Sequence, residues 1–207
     1  MSTPAPPRPR TVRRGWPEVA IALTGALLLV LAAIPVHPDR VGRAEAAVFG
    51  VLNGPSLLPF LVVWPFMQLG NLLAVPLVAA VAAALRRWRL AAAALIAGAG
   101  VYALAKVVKG IVPRGRPDAL LEDVVIRGAA AHGRGFISGH AAVVAALVVV
   151  AWPWLGRRGR IACTALAVGV CFARVHVGAH LPLDVVGGAG LGLAVGGLVL
   201  LLVGRPA

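Results

Sequence analysis

The chain has 207 residues, 60% of them hydrophobic and only 13% charged, a balance that excludes a soluble globular class and marks a membrane protein. Its formal charge of +13 is not a nucleic-acid footprint, because no basic stretch is interleaved with aromatics and membrane proteins gather arginine on their cytoplasmic loops. The two cysteines, Cys163 and Cys171, fall in one apolar run; as a helix they stand about 12 Å apart along the axis, too far to bridge.

Residues 1–15 are rich in proline and arginine, with Arg8, Arg10, Arg13 and Arg14, and read as a disordered basic cytoplasmic tail. Residues 16–207 form one membrane domain. The first apolar run, 16–36, is longer than the core of a signal peptide, about 7–15 residues, and reads as a span. Glu18 near its start needs no functional role. Residues 37–55 are polar with an amphipathic centre at 41–52, which predicts a helix lying on the membrane surface. The run 56–85 is over-long and interrupted by Pro65 and by Gly70-Asn71, so it reads as an interfacial or tilted lead-in followed by the second span. Further spans are predicted at 90–112, 140–155, 161–176 and 183–203, giving an all-α integral membrane bundle of six transmembrane helices.

Arg86 to Arg89, Arg157 to Arg160, Arg205 and the basic tail fall on one side if the spans alternate. The excess of arginine makes that side cytoplasmic and puts both termini inside. Trp16, Trp88, Trp152 and Trp154 then line the same interface. Gly188, Gly192 and Gly196 form a small-residue stripe for close helix approach, within the bundle or as a homodimer seam.

With this topology the outer ends of the last four spans carry nearly all remaining ionisable groups. Lys106, Lys109, Arg114, Arg116 and Asp118 end the third span; Ser138 and His140 begin the fourth; Arg174, His176, His180 and Asp184 lie between the fifth and sixth. Ionisable groups at membrane depth are costly and point to function. Ser138 is an N-cap, so the free N–H groups of the helix behind it make an anion site beside the titratable His140. Lys106 and Arg114 read as side chains snorkelling to headgroups, while Arg127 and Arg134 are open to substrate or water. His176 reads as bonded to backbone. His180 is different: Asp184, four residues on and near a helix start marked by Pro182, can hold one imidazole nitrogen protonated and leave the other a free nucleophile.

Taken together, Lys109 followed after six residues by Arg116-Pro117, then Ser138-Gly139-His140, then Arg174, five residues, His180, three residues and Asp184 resemble the three-part signature of the type 2 phosphatidic acid phosphatase superfamily, membrane lipid phosphatases related to vanadium haloperoxidases. The chain departs from it at Ile137, where proline is usual, and at Ala173, where serine is usual. The resemblance implies a metal-independent, cofactor-free phosphoryl transfer in which Lys109, Arg116, Arg174, Ser138 and the Gly139 N–H bind phosphate. It implies that His180 attacks phosphorus, oriented by Asp184, and that His140 protonates the leaving oxygen and then activates water.

The function expected is hydrolysis of a lipid phosphate or diphosphate, such as polyprenyl diphosphate, phosphatidic acid, phosphatidylglycerophosphate or a polyprenyl-linked sugar phosphate, at the extracytoplasmic face of a bacterial plasma membrane. The expected partners are the substrate lipid and the bilayer, with no nucleic acid. The alternatives are a phosphotransferase using the same histidine and a non-catalytic lipid-phosphate binder or transporter component. The complete His140, His180 and Asp184 set speaks against the binder, which needs cations but neither nucleophile nor acid.

Overall fold

The computed structural model describes residues 12–54, 58–128 and 131–206. In a bilayer every backbone polar group must be satisfied inside its own segment, and the apolar runs accordingly become helices. In chain order these are α1 (Trp16–Ala33), α2 (Arg43–Asn53), α3 (Phe60–Leu69), α4 (Ala74–Ala84), α5 (Trp88–Ile111), the single turn α6 (Pro117–Leu120), α7 (Gly139–Ala151), α8 (Arg157–His176) and α9 (Pro182–Val203). A 3-10 turn, Trp152–Trp154, extends α7. The only sheet among the described residues pairs β1 (Val12–Arg13) antiparallel with β2 (Arg205–Pro206).

The chain is an all-α, multi-pass membrane protein in which α1, α5, α8 and α9 are long and apolar enough to cross a bilayer. The α3 and α4 helices, bent by 62° at a short break, make a fifth crossing if counted as one span. The fourth expected span, 140–155, is the shorter apolar helix Gly139–Trp154, below the roughly 20 residues that cross a bilayer core. It is largely buried between its neighbours.

Small residues set the packing. Without a hydrophobic force between helices in lipid, close van der Waals contact holds them together, and Ala93, Ala94 and Ala97 of α5 are fully buried. α9 is the central helix. Its Gly188, Gly192 and Gly196 face α7, and a Cβ on Gly192 would stand 2.3 Å from the Ala142 carbonyl oxygen. The predicted stripe is therefore covered by this chain's own α7. A second set, Gly190 and Gly197, meets α1, where Gly25 faces the Gly190 carbonyl in return.

Three expectations change. The break between α3 and α4 falls at Gly70-Asn71, where Asn71 Oδ1 accepts the Leu73 N–H at 3.1 Å, but Pro65 stays inside α3 without ending it. The amphipathic α2 turns its inner face to the protein instead of to lipid: Glu45, Phe49 and Asn53, on successive turns of one face, are buried against the bundle. Two of those three residues are polar, and they find protein partners that hydrocarbon lacks. Within the expected tail, Val12 and Arg13 are tied to the C-terminal end by the β1–β2 pair, and Glu18, 2% exposed, accepts the Gly15 N–H at 2.9 Å and pairs with Arg205 at 3.1 Å. The rest of that reading, residues 1–11, lies outside the described residues.

Candidate active site

The site forms where the ends of α5, α7, α8 and α9 converge with the connecting segments 112–128, 131–138 and 177–181. Ser138 caps α7, its side chain accepting the Ala141 N–H at 3.5 Å. Its own N–H donates to the Asp184 carbonyl at 2.8 Å, and the Gly135 N–H donates to the Arg114 carbonyl at 2.8 Å. These two bonds join the three sequence clusters through backbone, and they set the start of α7, whose first N–H groups have no partner within the helix, beside the other clusters.

His180 sits in the short connection from α8 to α9 and is 2% exposed. Its backbone N–H donates to the Arg174 carbonyl at 3.1 Å. On one side of the ring, Nδ1 lies 3.5 Å from Asp184 Oδ2. Arg116 Nη1 lies beside the ring, 3.0 Å from Nε2 and 3.4 Å from Nδ1. Burial, aided by the charges of Arg116 and Arg174 and opposed by Asp184, pushes the imidazole down to about 3. The ring is therefore neutral at physiological pH, with one of its two nitrogens free of a proton.

The cations are held in different ways. Arg116 donates from Nε to the Gly133 carbonyl at 3.2 Å, from Nη2 to the His132 carbonyl at 3.0 Å and from Nη1 to the Ala179 carbonyl at 2.6 Å; burial holds its pKa below the usual arginine value. Lys109 Nζ donates to the carbonyls of Arg134 and Ile137 at 2.8 and 2.7 Å, which pins the loop leading into α7. Arg174 contrasts with both. It is 7% exposed, and its buried Nε has no hydrogen-bond partner among the described residues. A buried guanidinium left short of partners is costly unless an anion completes it.

His140, partly buried, occupies the second position of α7 within electrostatic reach of Arg174 and Arg116. The α3–α4 break presses on it: a Cβ on Gly70 would stand 2.8 Å from His140 Cβ and 2.9 Å from its carbonyl oxygen. Every predicted site residue thus belongs to one cluster of loops and helix ends.

Arg114 is the correction. It is 3% exposed rather than reaching lipid, and donates to Asp184 Oδ1 at 3.0 Å and to both Glu45 oxygens, at 3.0 and 2.5 Å. Burial works against its charge, but the Glu45 hydrogen bonds and the Asp184 charge raise its pKa above the usual arginine value. Glu45 also accepts the Leu183 N–H at 2.9 Å. The sequence reading missed Glu45 and Asn53, whose signal was two polar residues on the inward face of a short amphipathic helix.

Arg127 and Arg134 serve the framework. Arg127 donates to the carbonyls of Asn53, His176 and Gly54, and Arg134 donates to the Lys109 carbonyl. His176 is bonded to backbone as expected, its ring nitrogens 2.9 Å from the Leu52 and Leu58 carbonyls. Among the described residues no group of three or more His, Cys, Asp or Glu side chains is gathered to hold a metal.

The family model of the PAP2 superfamily matches residues 86–206, which hold all three motif clusters and leave out α1 to α4. The fold is similar to LpxE of Aquifex aeolicus, with a TM-score of 0.71 and 23% identity over 79% of this chain and 99% of that one. It is also similar to a transmembrane PAP2-type phosphatidylglycerolphosphate phosphatase of Bacillus subtilis, with a TM-score of 0.66 and 25% identity over 88% and 93% of the two chains. No curated protein matches the chain.

Proposed function

Because the chain belongs to the PAP2 superfamily, we propose that it is a membrane phosphatase hydrolysing a lipid phosphate or diphosphate through a phosphohistidine on His180. The observation that carries this reading is the position of His180, its Nδ1 3.5 Å from Asp184 and its ring beside Arg116 Nη1, with the under-bonded Arg174 alongside.

In this reading the phosphate enters between Arg116, Arg174 and the first N–H groups of α7, with Lys109 and Ser138 lending further contacts. His180 Nε2 attacks phosphorus, the bond to the lipid oxygen breaks, and His140 gives that oxygen its proton. Water then attacks the phosphohistidine, His140 takes the water's proton, and inorganic phosphate leaves with the imidazole restored. Asp184 keeps Nδ1 protonated and stabilises the positive charge that the ring gains. Most of the acceleration comes from fixed cations matched to the charge on the transferring group; proton transfer by His140 adds about 10²–10⁴-fold.

Candidate substrates are polyprenyl diphosphate, phosphatidic acid and phosphatidylglycerophosphate, the last being the lipid for which one relative is named. The bent α3–α4 pair and the short Gly139–Trp154 helix bring the crossings to six if each counts as one span. The arginine distribution then puts both termini in the cytoplasm and the site at the extracytoplasmic face of a bacterial plasma membrane. A reporter after Arg158 should behave as cytoplasmic, and one beside Ala131 as external.

The deciding assay is phosphate release from a panel of these lipids by protein purified in detergent. Release should persist in chelator, be inhibited by vanadate and disappear in His180→Ala; wild-type turnover by that variant would overturn the mechanism.

A further inference from the structure

Two carboxylates share Arg114 in a buried row that leads to the nucleophile. Asp184 is completely buried and Glu45 is 9% exposed. Arg114 Nη1 is equidistant from both, at 3.0 Å from Asp184 Oδ1 and 3.0 Å from Glu45 Oε1, and Nη2 donates to Glu45 Oε2 at 2.5 Å. Glu45 thus holds the guanidinium with both oxygens, the paired geometry that fixes a planar group most firmly. Oε1 also accepts the Leu183 N–H of the first turn of α9, one residue before Asp184. The other Asp184 oxygen, Oδ2, accepts the Leu181 N–H at 2.9 Å and faces His180 Nδ1. Rotation of the Asp184 carboxylate would carry Oδ2 away from the imidazole, and the bond to Arg114 on Oδ1 opposes that rotation.

We propose that Glu45 is a positioning residue for the reaction: by seating Arg114 it fixes the Asp184 carboxylate, and through Asp184 it keeps His180 protonated on Nδ1 with its lone pair on Nε2. The assignment to a reaction rests on the phosphatase reading. Glu45 lies on α2, outside the residues matched by the family model, so the device belongs to the part of the chain that the shared motifs do not cover.

Glu45→Gln separates this role from simple packing. The two Glu45 oxygens accept from three donors, Arg114 Nη1, Arg114 Nη2 and the Leu183 N–H. An amide of the same size sets its NH₂ against at least one of those donors in either orientation. Arg114 then loses its seat and the Asp184 carboxylate its anchor. The charged groups facing the His180 ring, Asp184, Arg116 and Arg174, stay in the chain, so a change there reports orientation.

The test uses full-length protein in nanodiscs with ¹⁵N-labelled histidine, the His180 signal being identified by its loss in His180→Ala. Wild type should show the Nδ1–H tautomer. In Glu45→Gln a substantial Nε2–H population should appear, kcat should fall at least about ten-fold, and KM should move less than about three-fold. Arg114→Lys, whose single ammonium cannot keep both carboxylates in place, should move the same signals and decides the matter if Glu45→Gln does not fold. An unchanged tautomer, or kcat within about two-fold of wild type in folded protein, would overturn the role of Glu45. If wild type releases no phosphate from any lipid of the panel, the phosphatase reading falls, and the tautomer measurement still decides whether Glu45 orients His180.

Discussion

Arg116 Nη1 lies 3.0 Å from His180 Nε2. The same Nη1 lies 3.4 Å from Nδ1, so the guanidinium sits beside the ring next to both nitrogens, and it is Asp184 Oδ2, 3.5 Å from Nδ1, that favours a proton on Nδ1 and a lone pair on Nε2. The contact also marks where a phosphate would arrive, between the nucleophile and the cation that already faces it.

That geometry sets a titration. Burial, with Arg116 and Arg174, lowers the His180 pKa to about 3 against the pull of Asp184. In the unfolded chain the same ring takes a proton near pH 6.5, as histidines do, at about their ordinary value. Its contribution to stability is therefore complete above about pH 6.5 and is lost as pH falls through the window down to about 3. By histidine NMR, the resonance missing from His180→Asn should keep the neutral shift down to about pH 5. A midpoint between pH 6 and 7 would contradict the buried, cation-flanked geometry.

Arg174 should act against stability when no anion is bound. Its Nε is buried and unpartnered among the described residues, so Arg174→Met should stabilise the unliganded protein, by about 1–4 kcal/mol if relief of an uncompensated buried charge dominates. Orthovanadate should raise the melting temperature of wild type by mass action and leave that of Arg174→Met unmoved. A lower melting temperature in the variant, with the vanadate shift intact, would remove Arg174 from the anion site.

Asn53 joins α2 to the loop over the site and to the end of α8. Its Nδ2 donates to the carbonyls of Val125 and His176, both at 2.9 Å, and its Oδ1 accepts the Val125 N–H at 2.9 Å. Asn53→Ala leaves these groups without partners and should cost about 1–3 kcal/mol, with faster amide exchange at Val125. Asn53→Asp should be worse, because it turns a donor toward two carbonyls into an acceptor. Unchanged exchange at Val125 in the alanine variant would refute the link.

The packing of α9 on α7 gives a contrast between two glycines. Gly192→Ala places a methyl 2.3 Å from the Ala142 carbonyl oxygen and should destabilise by about 1–3 kcal/mol through forced separation of the helices. Gly50→Ala, with nothing within 4 Å of its Cβ, should be neutral or stabilise by up to about 1 kcal/mol through helix propensity. Thermal unfolding in detergent compares them, and equal effects would show that contact distance does not set the cost.

The spans of α1, α5, α8 and α9 were legible because hydrocarbon imposes one rule on every segment that crosses it, and a run of apolar residues obeys that rule wherever it lies in the chain. The cluster Lys109, Arg116, Ser138, His140, Arg174, His180 and Asp184 was legible because alternating spans bring these helix ends to one face and because the spacing within each segment resembles the shared signature. The roles of Arg114 and α2 were not. A guanidinium near a membrane boundary can reach headgroups or a buried carboxylate with equal ease, and only the docking of α2 puts Glu45 within 3.0 Å of it. Local sequence determines the period and polarity of an element; the choice among distant partners is made by the packing of the whole bundle, where desolvation leaves a buried charge stable only beside its counter-charge.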